Sequence, residues 1–238
     1  PIPENLIDLG RKVTDADCHI GFAIDPDADR VALVGADGEP LGEDLTLALA
    51  VQSVTARERG PVVTTLSTSQ VVSDAATANG CPVILTPVGE VNVMDAMIAE
   101  GAVIGGEGNG GVILPTVDPG RDAAVGMALV LEAMARSRQP LYRMVGRLPR
   151  YVIEKRKVSD VDVQDQQRAI RRLLEAYPSA ERHPVEDGVK LYIDGPRRCP
   201  WIHLRPSNTE PVVRIIAESE SRDQAVELCD RAQEGLQG

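Results

Sequence analysis

Aromatic side chains are scarce, with one Phe, one Trp and four Tyr in 238 residues. So few rings cannot build the stacking platforms that hold single-stranded nucleic acid. Positive charge is also in deficit: 25 Lys and Arg stand against 36 Asp and Glu, a formal net charge of −11. A phosphate backbone is repelled by such a chain, so no nucleic-acid partner is expected. The four cysteines, Cys18, Cys81, Cys199 and Cys229, are scattered, and no pair has metal or redox spacing. At this density no disulfide framework is expected, and the cysteines read as reduced thiols in a cytoplasmic protein. No apolar run approaches the roughly 18 residues of a membrane span, and the first residues carry no signal-peptide pattern, so no membrane association is expected. His19, His183 and His203 stand alone, without a Cys or His at zinc spacing. Neither a Gly-x-Ser-x-Gly elbow nor a Walker-type loop occurs.

What is present is an ordinary globular composition, 43% hydrophobic and 26% charged. The length allows one large domain or two modest ones, with a core that needs neither disulfide nor metal. Apolar runs at Ile20–Ile24 and Val31–Val34 follow a short helical segment over 5–15. A helical pattern covers 43–59, with Leu41, Leu45, Ala48 and Leu49 on one face. Strands over 62–66, 83–86, 102–104 and 112–114 then alternate with helices over 69–78, 91–99 and 118–138. Asp118-Pro119 reads as the start of the last helix, with proline at its first position. Such alternation predicts a largely parallel sheet covered on both faces. The character changes over 139–149. A β-rich run at 151–158, a helix over 163–177, strands at 190–193, 201–204 and 212–217 and a helix over 222–234 form an α+β pattern with antiparallel strands.

Three loops carry polar chemistry. Asp25, Asp27 and Asp29 alternate just past an apolar strand, and carboxylates so close repel one another unless something positive lies among them. Hard oxygen ligands suit Mg²⁺ or Ca²⁺, and the other reading is a solvated acidic turn. An EF-hand is excluded, because Arg30 takes the place of its Gly and Ala36 that of its bidentate Glu. The stretch 105–111, Gly-Gly-Glu-Gly-Asn-Gly-Gly, contains a formal Gly-x-Gly-x-x-Gly match. A dinucleotide fingerprint needs a helix directly afterwards, whereas Val112-Ile113-Leu114 reads as a strand. The glycines fit either a tight hairpin or close approach to a ligand, where Glu107 and Asn109 offer an acceptor and an amide suited to sugar hydroxyls. The stretch 205–211 gathers Arg205, Ser207, Asn208 and Thr209, with Arg214 on the strand beyond. Guanidinium, hydroxyl and backbone donors together favour a phosphate cradle over a plain polar turn.

In this order the three loops resemble those of the α-D-phosphohexomutase family, the phosphoglucomutases, phosphomannomutases and phosphoglucosamine mutases. Ala23 to Arg30 resembles the metal-binding loop, with Pro26 where many members carry Gly. Gly105 to Gly111 resembles the sugar-binding loop, and Arg205 to Pro211 the phosphate-binding loop at every key position. Asp187-Gly188 and Trp201 also match the last domain. The resemblance implies a three-layer α/β/α domain with a mixed sheet over 39–147, then a smaller α+β domain with an antiparallel sheet over 148–238. Residues 1–38 would be part of a preceding α/β domain. The family's first domain, whose Ser-His-Asn loop carries the nucleophilic serine, has no counterpart, and no Ser-His pair occurs here. Ser67 and Ser69 fall in the third domain, away from that loop.

The implied reaction interconverts hexose 6-phosphate and hexose 1-phosphate through a hexose bisphosphate and an enzyme phosphoserine. Asp25, Asp27 and Asp29 would hold Mg²⁺, with Arg30 beside the transferring phosphate. Glu107 and Asn109 would bind sugar hydroxyls, and Arg205, Ser207, Asn208, Thr209 and Arg214 the other phosphate. Many members have Ser at the position of Asn109, and many bacterial members have His at that of Gly111, so any acid–base role of that His lies elsewhere here. The chain alone is expected to be inactive. The alternative is a non-catalytic sugar-phosphate-binding or interaction module that kept the loops and lost the chemistry. Strands 20–24 and 31–34 would lack sheet partners, which implies self-association through open strand edges or a disordered N-terminal region.

Overall fold

In the computed structural model, which describes residues 3–183, 188–195, 198–207 and 212–237, the first two apolar runs pair with each other. β1 (Ile20–Ile24) and β2 (Val31–Gly35) form an antiparallel hairpin whose register runs from Ile20↔Gly35 to Ile24↔Val31. The expectation that both strands lack partners is corrected: the tight aspartate turn brings each to the other. α1 (Ile7–Asp15) presents Leu9 and Val13 at helical spacing, and with Leu6 they close over Ala23, Ala32 and Val34.

The chain divides into two units, 1–149 and 150–238. In the first, α2 (Glu43–Thr55) is followed by β3 (Val62–Thr65), α3 (Gln70–Thr77), β4 (Val83–Thr86), α4 (Glu90–Glu100), β5 (Ile104–Glu107), β6 (Gly111–Ile113), α5 (Ala123–Ser137) and α6 (Leu141–Val145). The sheet order is β4-β3-β5-β6. β3 runs parallel to β4 and β5, and β6 returns antiparallel to β5, so the sheet is mixed. Val63, Ile84 and Ile113 pack against Val93 and Met97 of α4. α2 packs against α3, α5 and the sheet, and almost every residue from Thr46 to Thr55 is buried. The single apolar face expected for this helix is therefore too narrow: from Thr46 onward it lies within the core, where the Thr46 and Thr55 hydroxyls bond backbone carbonyls.

The start of α5 also differs. Asp122, not Asp118, caps it, accepting the N–H groups of Ala124 at 2.6 Å and Val125 at 3.1 Å. Asp118 instead accepts the Gly120 N–H at 2.7 Å and closes a turn. Arg121 N–H donates to Glu90 Oε1 at 2.8 Å, which holds this stretch out of the helix.

The second unit contains β7 (Val152–Ser159), α7 (Val163–Ala176), β8 (Glu181–His183), β9 (Val189–Tyr192), β10 (Trp201–Pro206), β11 (Val212–Ser219) and α8 (Arg222–Gln237). Its strands form an antiparallel sheet in the order β7-β11-β10-β9-β8. Strand alternation sorts the two faces. Leu191, Ile202, Leu204 and Ile215 pack with Leu173 of α7 and Leu228 of α8. Tyr192, Trp201 and Ile216 form a separate apolar cluster on the opposite face. There Trp201 Nε1–H donates to the buried Glu218 at 2.6 Å, and the Lys190 ammonium lies 3.8 Å from the indole centroid. Burial pushes Lys190 down to about 7, against the pull of Glu218.

None of the four cysteines forms a disulfide, and burial pushes the Cys229 thiol up to about 12. Among the described residues, no helix is long and apolar enough to cross a membrane.

The closest approach of α7 and α8 depends on Gly235. A β-carbon there would stand 2.6 Å from Ala169 Cα. Gly235→Ala is expected to cost about 1–3 kcal/mol through overpacking. Trp201 is the chain's one tryptophan and lies fully buried in this unit, so its fluorescence in a urea titration reads the change. An unchanged midpoint would show that the helices separate without cost.

Candidate functional site

Asp25 follows β1 directly and organises the turn that bears it. Its Oδ1 accepts the N–H groups of Asp29 and Arg30, both at 3.2 Å. Its Oδ2 accepts Arg30 Nε–H at 2.7 Å, and the same Nε lies 3.3 Å from Asp29 Oδ1. Ala28 sits at φ 58° within this turn, its N–H bonded to Asp25 O at 3.1 Å. Asp25 is buried, Asp29 half-buried and Asp27 exposed, and one carboxylate oxygen from each lies within 4.8 Å of the other two. Burial pushes the Asp25 carboxyl up, but the bonds it shares with the Arg30 backbone, Asp29 and the Arg30 guanidinium outweigh that and hold it below the usual value. Asp29 is raised by burial and by its contact with Asp25, against the attraction of Arg121 and Arg30. The set offers hard oxygen donors whose mutual repulsion a divalent cation would relieve.

Glu107 ends β5 and is buried, directly opposite Gly111 of β6. Its Oε1 accepts Gly89 N–H at 3.2 Å, from a residue whose φ of 132° suits glycine. Its Oε2 accepts Arg121 Nη1–H at 2.7 Å and Asn109 Nδ2–H at 3.4 Å. Asn109 Oδ1 in turn accepts Gly111 N–H at 3.1 Å. A strand follows this loop, as the rejection of a dinucleotide fingerprint requires.

Hydroxyls at the end of β3 fix the loop from below. Thr68 Oγ1 lies 2.9 Å from the hydroxyls of both Thr64 and Thr65, and accepts Gly108 N–H at 3.1 Å. Thr64 donates to Gly106 O at 2.9 Å. Ser69 caps α3, and its N–H donates to Asp44 Oδ1 at 2.8 Å.

The fold joins the aspartate turn to the glycine loop. Val31 N–H donates to Gly110 O and Ala123 N–H to Ala28 O, each at 3.1 Å. Arg121 spans the same junction: its Nη2 lies 2.5 Å from Asp29 Oδ2 and 3.3 Å from Glu90 Oε2, while Nη1 holds Glu107. Neither Arg121 nor Glu90 was found by sequence reasoning. The available signal was a cation in an acidic chain at a Pro-Gly punctuation, and it was absorbed into an expected helix start.

In the second unit, cross-strand register places Arg205 opposite Arg214, and Arg214 opposite Lys157 of β7. Three cations thus share one face at one end of the sheet, and like charges so placed favour an anion. Lys157, exposed on β7, was not among the expected residues. Ser207 N–H donates to Val212 O at 2.9 Å. Asn208 and Thr209 lie outside the described residues, as does Asp187.

Comparison with known proteins agrees with this architecture. Residues 42–151 match the model of phosphoglucomutase/phosphomannomutase alpha/beta/alpha domain III, and residues 155–234 the C-terminal domain of the same family. A probable phosphoglucosamine mutase of Methanopyrus kandleri is 36% identical over 235 residues, 97% of this chain and 50% of that protein. A phosphoglucomutase/phosphomannomutase of Thermococcus kodakarensis is 33% identical over 234 residues, again 97% of this chain and 50% of the relative. A solved phosphoglucomutase/phosphomannomutase family protein from Burkholderia thailandensis superposes with a TM-score of 0.82 at 25% identity, covering 99% of this chain and 50% of that one. Fold and sequence therefore define a chain of one α/β/α domain with a mixed sheet and one α+β domain with an antiparallel sheet. The chain belongs to the phosphoglucomutase/phosphomannomutase family, carrying its domains III and IV. It spans about half the length of the curated relatives it matches.

Thr68→Val keeps the side-chain volume but leaves the Gly108 N–H without its acceptor. The expected cost is about 1–3 kcal/mol, read as faster amide exchange at Gly108 and a lower stability of the first unit. Unchanged exchange at Gly108 would mean that the hydroxyl does not hold the loop.

Proposed function

We propose that these residues form the cation, sugar and phosphate subsites of a cytoplasmic phosphohexomutase. The full enzyme would interconvert hexose 6-phosphate and hexose 1-phosphate through a hexose bisphosphate and an enzyme phosphoserine. The observation that carries this reading is the backbone junction of the aspartate turn and the glycine loop, Val31 to Gly110 and Ala123 to Ala28. It brings a candidate cation site, in the hairpin ahead of the matched residues, beside a candidate sugar site in the domain that the family model matches over residues 42–151.

Each group then has a task. Asp25, Asp27 and Asp29 hold Mg²⁺, which when bound supplies charge neutralisation at phosphoryl oxygens. Arg30, anchored by Asp25 and Asp29, offers its remaining guanidinium donors to the same phosphate. Glu107, already oriented by Gly89 and Arg121, accepts hydrogen bonds from sugar hydroxyls, and Asn109 supplies an amide beside it. Arg205, Ser207, Asn208, Thr209 and Arg214 bind the non-transferring phosphate, and Lys157 extends that row of charge. A substrate anchored by its phosphate presents the other end for transfer in either orientation. No Ser-His pair lies within the 238 residues, and in this reading the full enzyme would carry its phosphoryl serine elsewhere.

The outer edge of β1 has no strand partner among the described residues, and we propose it as the route of self-association. Sedimentation velocity should show species above the 25.5 kDa of one chain. A single monomeric boundary would count against this edge.

Calorimetric titration with glucose 1,6-bisphosphate in Mg²⁺ should show binding by the chain, without mutase turnover. Arg205→Ala should weaken that binding roughly ten- to a hundredfold, the value of a charged hydrogen-bonding group. Adding the half of the family fold that carries the serine should restore turnover. Turnover by the chain alone would overturn the division of labour, and binding without restored turnover would favour a non-catalytic module.

A further inference from the structure

Both carboxylate oxygens of Asp29 are already taken. Oδ1 faces Arg30 Nε at 3.3 Å, and Oδ2 faces Arg121 Nη2 at 2.5 Å. A cation that takes Asp29 as a ligand must share or displace one of these arginines. Arg30 is held firmly by Asp25 at 2.7 Å. Arg121 has two other carboxylates within reach, Glu107 at 2.7 Å and Glu90 at 3.3 Å, so it can leave Asp29 without losing its charge partners. Its side chain is only 15% exposed, and its Nε is buried with no hydrogen-bond partner among the described residues. The guanidinium therefore lies in low dielectric, where a change of partner is strongly felt.

The path of this side chain depends on one missing atom. A β-carbon at Gly111 would stand 2.4 Å from Arg121 Cδ and 3.2 Å from its Cγ. Glycine at 111 is what lets the arginine cross from the stretch ahead of α5 to Glu107.

We propose that Arg121 is a positioning residue that couples the cation site to the sugar site, competing with the divalent cation for Asp29 and passing to Glu107 and Glu90 when the cation binds. The coupling deepens the proposed function, since it requires the aspartate turn to take a cation. Glu107 is then held in one way before the ion arrives and more tightly afterwards, so metal occupancy sets the acceptor offered to the sugar. Linkage makes the effect reciprocal: a ligand that engages Glu107 alters the affinity for the ion.

Mn²⁺ binding to the 238-residue chain, followed by the loss of the free-ion electron paramagnetic resonance signal, tests the competition. Arg121→Gln should bind Mn²⁺ about tenfold more tightly than the parent, within the usual range of coupling between sites. Arg121→Lys, a point charge that cannot span Asp29 and Glu107 together, should fall between them. A merely structural role predicts the opposite sign, because a loosened turn binds the ion more weakly. Unchanged or weaker binding by a folded Arg121→Gln overturns the coupling. If that variant does not fold, Gly111→Ala displaces the same side chain and should also tighten binding; no change there is equally decisive. In Mg²⁺ titrations followed by NMR, the Gly89 amide bonded to Glu107 should shift in the parent but not in Arg121→Gln. A lack of Mn²⁺ binding by parent and variants alike would overturn the cation reading itself and the coupling with it, whereas binding that ignores Arg121 overturns the coupling alone.

Discussion

The guanidinium of Arg121 stands where three carboxylates from three separate chain segments converge, Asp29, Glu90 and Glu107. In a chain with a net charge of −11, such a gathering is costly unless a cation lies within it. Arg30 performs the same service for Asp25 and Asp29 inside the aspartate turn. The two arginines allow the hairpin, the fourth helix and the glycine loop to meet. The local geometry follows from this meeting: α5 starts at Asp122 because Arg121 is drawn out to Glu90 and Glu107, and Glu107 is oriented because Arg121 and Gly89 take one oxygen each.

Close approach is the second condition. Gly106 and Gly108 admit neighbours that a β-carbon would strike, Gly111 O at 2.2 Å and Asp44 Oδ1 at 2.1 Å. The hydroxyls of Thr64, Thr65 and Thr68 then satisfy polar backbone that would otherwise be buried unpaired. In the second unit the same economy is achieved by strand alternation. One face of the sheet buries aliphatic side chains under α7 and α8, and the other keeps Trp201, Glu218 and Lys190 together near a row of cations that starts at Arg205.

Much of this was legible in the order of residues. β1 and β4 lie where the apolar runs lie, and most other strands and helices differ from the reading by one to three residues at an end. Asp25, Asp27, Asp29, Glu107 and Arg205 were picked out because local chemistry, like charges in alternation or donors crowded in a loop, is visible without a fold. α6 and β8 were missed for a physical reason: five residues are too few to show a helical period, and Glu181-Arg182-His183 has no apolar residue to mark a strand that pairs only at a sheet edge. Arg121 and Lys157 were missed because the groups they face, Asp29, Glu90 and Glu107 for the one and Arg214 for the other, lie far from them in the chain.

Secondary structure, the mixed and antiparallel sheets and the three polar loops were thus determined by the chain itself, since they rest on hydrophobic period, turn residues and contacts between near neighbours. The tertiary structure alone decided which of those loops would meet. Asp29 and Glu107 are 78 positions apart, and their connection through Arg121 comes from β2 passing beside Gly110 and α5 starting beside Ala28. Charge compensation acts over a few ångströms in space, whatever the separation along the chain, so its partners are set only when the backbone has folded.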